Sequence, residues 1–386
     1  MRMVPLGELA DINPRTASLH GDEAISFVGM AELDDRTGVA VPREARAFSE
    51  VAKGYTVFND GDILAAKITP CWENGKIGVA QLDHPVGVGS TEFHVVRARP
   101  AIDKRYLLHF LRQDSVRNAG ELRMTGSGGQ RRVPRQFLES LAVPVPDMAE
   151  QQRIAAILSQ ADSVRGRAAQ SLLRLNEYVK SIFQRDFSGL PATTTLGEHA
   201  VIQGGLQVSS KRASLPSRVP YLRVANVHRG YLKLDEVKSL QATEAEIERT
   251  RLECGDLLFV EGHANPLEVG RVGLWEADIE LCVHQNHLIR ARTHADLRPE
   301  FAAAWFNSQR GAMHFQRAGR TTSGLNTISA ATVRSAPLPL PPMGEQIRFA
   351  EMLRDVSVDR ATQERRALRF DALFASLQSR AFRGEL

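Results

Sequence analysis

Cysteine is scarce in this sequence, and its scarcity is the first constraint. Cys71, Cys254 and Cys282 are an odd set of three in 386 residues, with no CxxC spacing. That argues against a disulfide framework and predicts a reduced, cytoplasmic setting. No stretch approaches the ~18 apolar residues of a membrane span, so no membrane contact is expected. The opening Met1-Arg2-Met3-Val4-Pro5-Leu6-Gly7-Glu8 has no apolar signal core. No GxxxxGK[ST] phosphate loop occurs: Gly126-Ser127-Gly128-Gly129 runs on into Gln130-Arg131-Arg132 instead of a lysine. Cys282-x-His284-x-x-His287 supplies three metal-type ligands where zinc needs four, so no metal site is expected.

What the sequence does have is itself, twice. Gly61-Asp62-Ile63-Leu64 returns 194 residues on as Gly255-Asp256-Leu257-Leu258. Pro144-Val145-Pro146-Asp147-Met148-Ala149-Glu150-Gln151 returns after 195 as Pro339-Leu340-Pro341-Pro342-Met343-Gly344-Glu345-Gln346, and Leu6-Gly7-Glu8 after 190 as Leu196-Gly197-Glu198. A solenoid repeats every 20–50 residues or so, and this period is far longer; it marks a duplicated globular module with pseudo-two-fold symmetry. We expect an α+β protein of four segments: a module over 1–145, a long helix over 146–189, a second module over 190–340 and a second long helix over 341–386. Short apolar runs at 62–66 and 93–96 predict strands, and 106–111 a helix; 257–260, 287–289 and 301–306 repeat that order.

Each module ends in a proline-rich connector, which bars helix until the prolines stop. Heptads follow. Ile154, Ala161, Ala168, Leu175 and Ile182 occupy position a, and Leu158, Arg165, Leu172 and Val179 position d. Adding 195 gives Phe349, Val356, Gln363, Phe370 and Leu377 at a, then Leu353, Arg360, Ala367 and Phe374 at d. Such a seam is a coiled-coil signature. The shared seam arginines, Arg165 and Arg360, either fix its register or snorkel to its edge. Each helix should span roughly 30–35 residues, about 50 Å at 1.5 Å per residue; parallel and antiparallel pairing both remain open. Glu150, Gln151, Arg153, Glu345, Gln346 and Arg348 stand in the first turns, either as capping groups or as partner contacts.

The net charge is +4, unevenly spread. Residues 1–145 balance 18 basic against 18 acidic side chains, and 190–340 have 17 against 15. Yet 112–135 carries six arginines, including Arg117, Arg123, Arg131, Arg132 and Arg135, against two acids; 310–334 carries four, including Arg317 and Arg320, and no acid. Basic patches at the same place in both modules suit phosphate binding. The loop Thr125-Gly126-Ser127-Gly128-Gly129-Gln130 aligns with Thr321-Thr322-Ser323-Gly324-Leu325-Asn326. Glycine permits close backbone approach, hydroxyls and amides bind phosphate, and Gln or Asn pairs with adenine. Further candidates are Lys67, Asn74 and Lys76 around a turn, and Gln207, Ser209, Ser210 and Lys211 in a polar loop.

Taken together, these residues give a resemblance. Gly7-Glu8-Leu9-Ala10-Asp11-Ile12-Asn13-Pro14-Arg15, Thr69-Pro70-Cys71-Trp72-Glu73-Asn74-Gly75-Lys76-Ile77 and Gly89-Ser90-Thr91-Glu92-Phe93 carry it in the first module. Pro220 to Val227, Gly255 to Gly262 and His284-Gln285-Asn286-His287 carry it in the second, with the Pro-x-x-x-Glu-Gln opening of both helices. The chain resembles the specificity subunits of type I restriction–modification systems. The resemblance implies two target-recognition domains, each reading half of a bipartite double-stranded DNA site. It implies an antiparallel coiled coil that sets their spacing and holds two methyltransferase subunits, with restriction–translocase subunits joining the complex. It implies that S-adenosylmethionine and ATP with magnesium serve those partners and that this chain binds no cofactor and is not itself an enzyme. The residues agree: Asn13-Pro14-Arg15 and Asn265-Pro266-Leu267 lack the second proline and aromatic of an adenine methyltransferase pocket. The competing expectation is a protein-interaction scaffold whose basic segments meet acidic proteins rather than DNA.

Overall fold

The structure, a computed structural model, describes all residues except 16–20, 52, 128 and 320–325, and only the backbone of residue 176. The chain divides into two compact units, Met1–Leu172 with Gln363–Leu386, and Leu173–Thr362. Among the described residues no helix is long and apolar enough to cross a membrane.

In the first unit the central sheet runs Ala10–Ile12, Phe93–Ala98, Ile63–Ala66, Ile77–Ala80, Val39–Ala40, Leu33–Asp34. A second sheet is ordered Glu44–Ala47, Ala24–Val28, Val86–Gly89, Thr56–Asn59. The second unit has the shorter counterparts Ala200–Gly204, Leu288–Thr293, Leu257–Val260, Val272–Leu274, and Lys238–Ala242, Ser217–Leu222, Val283–His284. The predicted strands lie in the central sheets, and the predicted helices in Lys104–Leu111 and Pro299–Asn307. Ile63–Ala66 and Leu257–Val260 are buried along their whole length, which is why they read as continuous apolar runs rather than alternations.

The Gly-Asp repeat has a structural cause. Gly61 and Gly255 take φ of +81° and +92°, where a side chain would be strained. The following aspartates, Asp62 and Asp256, are buried. Each accepts a backbone N–H at 2.7 Å, from Asn59 or Glu253. Each also takes a two-pronged bond from an arginine of the neighbouring strand, Arg97 or Arg292, at 2.7–2.8 Å. The charge-assisted fork satisfies the buried carboxylate and locks the strand pair.

The proline connectors are not free linkers. Ala142–Val145 pairs antiparallel with Arg2–Pro5, and Pro337–Leu338 with Thr194–Thr195. A two-stranded ribbon tolerates proline where its missing N–H would point outward. The helices beyond, Met148–Phe187 and Met343–Arg383, are 40 and 41 residues long, longer than expected from the heptads. At 1.5 Å per residue each is about 60 Å. Of the seam residues Ile154, Leu158, Ala161, Arg165, Leu172, Leu175, Val179 and Ile182 in the first, and Phe349, Leu353, Val356, Arg360, Phe370, Phe374 and Leu377 in the second, all are buried or half-buried. In the first unit Ile154 and Leu158 share a core with Tyr106, Phe110, Phe374 and Ala381. In the second, Phe183 and Phe187 pack against Phe301 and Phe349, with ring centroids 5.1–5.9 Å apart. Arg165 lies 4.3 Å over the ring of Phe374 and pairs with Asp162 at 2.6 Å; Arg360 lies 5.9 Å from the ring of Tyr231. Both seam arginines therefore stack on an aromatic face.

Candidate nucleic-acid interface

Three separate stretches of the first unit converge on one surface. The strand Ile63–Ala66 runs out into Lys67, whose N–H donates to the Glu92 carbonyl at 2.8 Å and whose own carbonyl accepts from Val133 at 2.8 Å. Thr69 N–H bonds the Arg131 carbonyl at 2.9 Å, and Arg132 closes a hairpin back onto Thr125 at 2.8 Å. The turn at 70–75 is anchored by Trp72, which is buried and donates from Nε1 to the Arg117 carbonyl at 2.8 Å. Lys67, Asn74, Arg117, Arg123, Ser127, Gly129, Gln130, Arg131, Arg132 and Arg135 thus occupy neighbouring segments of one face. Asn74, Arg123, Ser127, Gly129, Gln130, Arg131 and Arg135 are exposed on it. Gly128 lies outside the described residues.

The charge of that face is smaller than its arginine count. Arg132 forks onto Glu92 at 2.7 and 3.0 Å, which holds the Glu92 carboxyl below the usual carboxylate range. Arg117 pairs with Asp114 at 2.8 Å, Arg135 with Glu139 at 2.7 Å, and Arg131 approaches Glu73 at 3.8 Å. Arg123 donates to the Ala119 carbonyl and lies 5.5 Å over Phe137. Lys76 turns inward and donates to the Met30 carbonyl at 2.7 Å, so it fixes the loop instead of projecting from it. Exposed pairs of this kind are weak and can re-form on phosphate.

The second unit builds the same frame with other side chains. Glu261 N–H donates to the His287 carbonyl at 3.0 Å, and the Glu261 carbonyl accepts from Ile328 at 2.8 Å. Asn326 pairs with His263 across a short ladder and donates its amide to the carbonyls of His263 and Ala264 at 3.3 and 3.1 Å. The loop of Gln207, Ser209, Ser210 and Lys211 is exposed and sits beside this edge, with Leu206 bonded to the His284 carbonyl at 2.8 Å. Its anchor is Arg212, which forks onto Glu246 at 2.7 and 3.0 Å. Arg317 is exposed on Gln309–Ala318. Arg320, Thr321, Thr322 and Ser323 lie outside the described residues.

At the helix starts the six candidate residues separate. Gln151 and Gln346 are each 1% exposed. Gln151 accepts from the Asp103 N–H at 2.8 Å and donates to the Pro146 carbonyl at 3.0 Å; Gln346 accepts from Arg298 at 2.8 Å and donates to Pro341 at 2.9 Å. Facing inward with their bonds made, these two pin each long helix to its module and offer nothing to a partner. Glu150 and Arg153 form an exposed fork at 2.7 Å, Glu345 is half-buried and Arg348 exposed.

Among the described residues no cluster of three or more His, Cys, Asp or Glu is arranged to hold a metal. His284 is buried between the carbonyls of Thr250 and Gln203 at 3.0 and 3.4 Å, and burial pushes its imidazole down to about 4. Burial pushes the Cys282 thiol up to about 12. His287 is separate from both and pairs with Glu261 through Nδ1 at 3.0 Å. Glu92, Glu261 and His287 were not among the DNA-contact candidates, although the 194–195-residue repeat places Glu261 opposite Lys67 and His287 opposite Glu92.

Residues 1–170 match the family model for the type I restriction modification DNA specificity domain. Over 159 residues the chain is 42% identical to the EcoEI specificity subunit of Escherichia coli, covering 41% of this chain and 27% of that one. The EcoAI specificity subunit of the same species is 38% identical over 44% of this chain and 29% of its own length. The match therefore spans less than a third of these two relatives. The EcoKI specificity subunit of E. coli K12 is 27% identical over 76% of this chain and 68% of its own. A solved chain from the assembly and conformational transition of a type I R-M system aligns with all of this chain and 98% of itself, with a TM-score of 0.59 and 18% identity. The type I S subunit of M. genitalium aligns over 99% and 96%, with a TM-score of 0.56 and 13% identity. At those identities the likeness is one of fold.

Proposed function

We propose that the chain belongs to the specificity subunits of type I restriction–modification systems and is the non-catalytic DNA reader of such a complex. Each module, 1–145 and 190–340, binds one half of a bipartite double-stranded site. The helices, 146–189 and 341–386, pair antiparallel and hold the halves at a fixed spacing. The antiparallel reading is supported inside each unit, where early turns of one helix meet late turns of the other: Ile154 and Leu158 share a core with Phe374 and Ala381, and Phe183 packs on Phe349. Two methyltransferase subunits dock on this rod and methylate adenine with S-adenosylmethionine. ATP-driven restriction subunits complete the assembly, in the cytoplasm.

One observation carries this reading. The two modules repeat one hydrogen-bonded frame at the end of the central strand, while the side chains on its outer edge differ. A scaffold for two like partners has no use for that divergence; an asymmetric DNA target requires it. The bases touched come from the loops around 67–76, 125–135, 207–211 and 317–326, and the exposed arginines neutralise phosphates. The test is to assemble the full chain with its methyltransferase subunit on randomised DNA and sequence the methylated fraction. Two defined half-sites with a constant gap are expected, and binding should fall log-linearly with salt, by roughly 0.9 per phosphate contacted. One contiguous site, or a flat salt response, returns the chain to the scaffold reading.

A further inference from the structure

The frame shared by the two units holds one position with opposite charge. Lys67 and Glu261 both follow the central strand, accept the same kind of backbone bond and stand opposite the same two neighbouring segments. In the first unit the neighbours are Glu92 and Arg132, which neutralise each other and leave Lys67 to set the local charge at +1. Among the described residues no ion pair involves Lys67. In the second unit the neighbours are His287 and Thr327. Glu261 there makes the local charge −1 with a neutral imidazole and zero with a protonated one.

An acidic residue on a phosphate-binding edge is electrostatically unfavourable unless it accepts a hydrogen bond from something other than phosphate. Base edges offer that bond: the amino groups of cytosine and adenine donate in the major groove, whereas guanine presents only acceptors there. Glu261 is built for the task. Its Oε2 is held by His287 Nδ1 at 3.0 Å, and Oε1 has no partner among the described residues. The side chains of Glu261 and His287 are 32% and 56% exposed. Lys67, with Arg132 beside it, presents only donors.

We propose that this position determines specificity in each module: Glu261, oriented by His287, accepts from a cytosine or adenine amino group in one half-site, and Lys67 donates to guanine in the other. Glu261 and Lys67 are the reading groups; His287 and Glu92 are positioning residues. The proposal rests on the specificity-subunit reading above.

The experiment uses the full chain assembled with its methyltransferase subunit, with methylated sequences counted from a randomised library. Glu261→Gln keeps the size of the side chain and should relax one base pair of one half-site by roughly tenfold, with the other half unchanged. His287→Gln should relax the same base pair by less, and holds the test if Glu261→Gln folds poorly. Lys67→Gln should relax one base pair in the opposite half-site. The proposal is overturned if these variants lower methylation evenly at every site with base preferences intact, or if Glu261→Gln and Lys67→Gln act on the same half. A wild-type complex without a two-part site sinks the underlying reading instead, before any variant is compared.

Discussion

The two units solve one packing problem with the parts exchanged. In the first, the turn at 70–75 sends the buried Trp72 into the helix Asp114–Glu121, where Gly120 makes room; a Cβ there would stand 2.3 Å from the indole. In the second, the residue equivalent to Gly120 is Phe315, which projects the other way, from the helix Gln309–Ala318 onto Gly270; a Cβ there would lie 2.3 Å from the ring. Gly75 and Gly270 end the equivalent loops at φ of +73° and +71°. A large ring must lock loop to helix, and either side can supply it. The edge above each lock is therefore free to change its chemistry while the frame keeps its shape.

The strongest way to break this comparison is to empty the lock. Trp72→Ala and Phe315→Ala should each cost about 3–5 kcal/mol, confined to their own unit. Native-state hydrogen exchange resolves the two losses separately. Adding Gly120→Phe to Trp72→Ala copies the second unit's arrangement into the first and should restore part of that loss; no recovery would mean that the two locks are not equivalent.

Acid is the next lever, because the units bury histidines at unrelated positions, His94 and His109 in the first and His284 in the second. Burial pushes His109, which bonds Ser159 at 3.0 Å, and His284 down to about 4. The unfolded chain takes up these protons near pH 6.5, so each neutral imidazole contributes its full stability above that pH. The contribution is lost as pH falls toward 4, about 3 kcal/mol per histidine. A melting series from pH 7 to 4 should show it, with His109→Gln reducing the response of the first unit alone and His94, also pushed down by burial, keeping the remainder. The shared anchors come third: Gln151→Ala and Gln346→Ala each strand a buried N–H and a buried carbonyl, for about 2 kcal/mol apiece. Similar losses would support equal roles, and a clear difference would separate the units again. The smallest effect is Arg131→Ala, which should lower the salt slope of DNA binding by about 1 with sequence preference unchanged, measured by titration at several salt concentrations.

The duplication, the central strands and the heptads were legible because each is a local pattern or a repeat of one. Gly61-Asp62 and its copy were visible as a motif, but not the fork to Arg97 or Arg292, since the partners lie 35 and 36 residues away. The same distance problem hid the true charge of the basic face. Arg132 meets Glu92 across 40 residues, and Lys76 reaches the Met30 carbonyl across 46. The Glu-Gln helix openings read either as caps or as partner contacts, yet Gln151 and Gln346 face inward, because the pins they form are to loops 48 residues away. Glu261 escaped notice for another reason: a basic-patch search discards acids, and only alignment of the copies sets it against Lys67.

The first unit's core includes Phe374 and Ala381, from the segment 363–386 that belongs to it despite lying beyond the whole second unit in the chain. On the ribosome this sets an order of events. At about 5–20 residues per second, the first unit waits roughly 10–40 s after residue 172 emerges before its last core side chains exist. Over that interval Tyr106, Phe110 and Leu158 lack their apolar cover, while the second unit is already being made. The module written first is thus completed last, and until then part of its apolar core stands open.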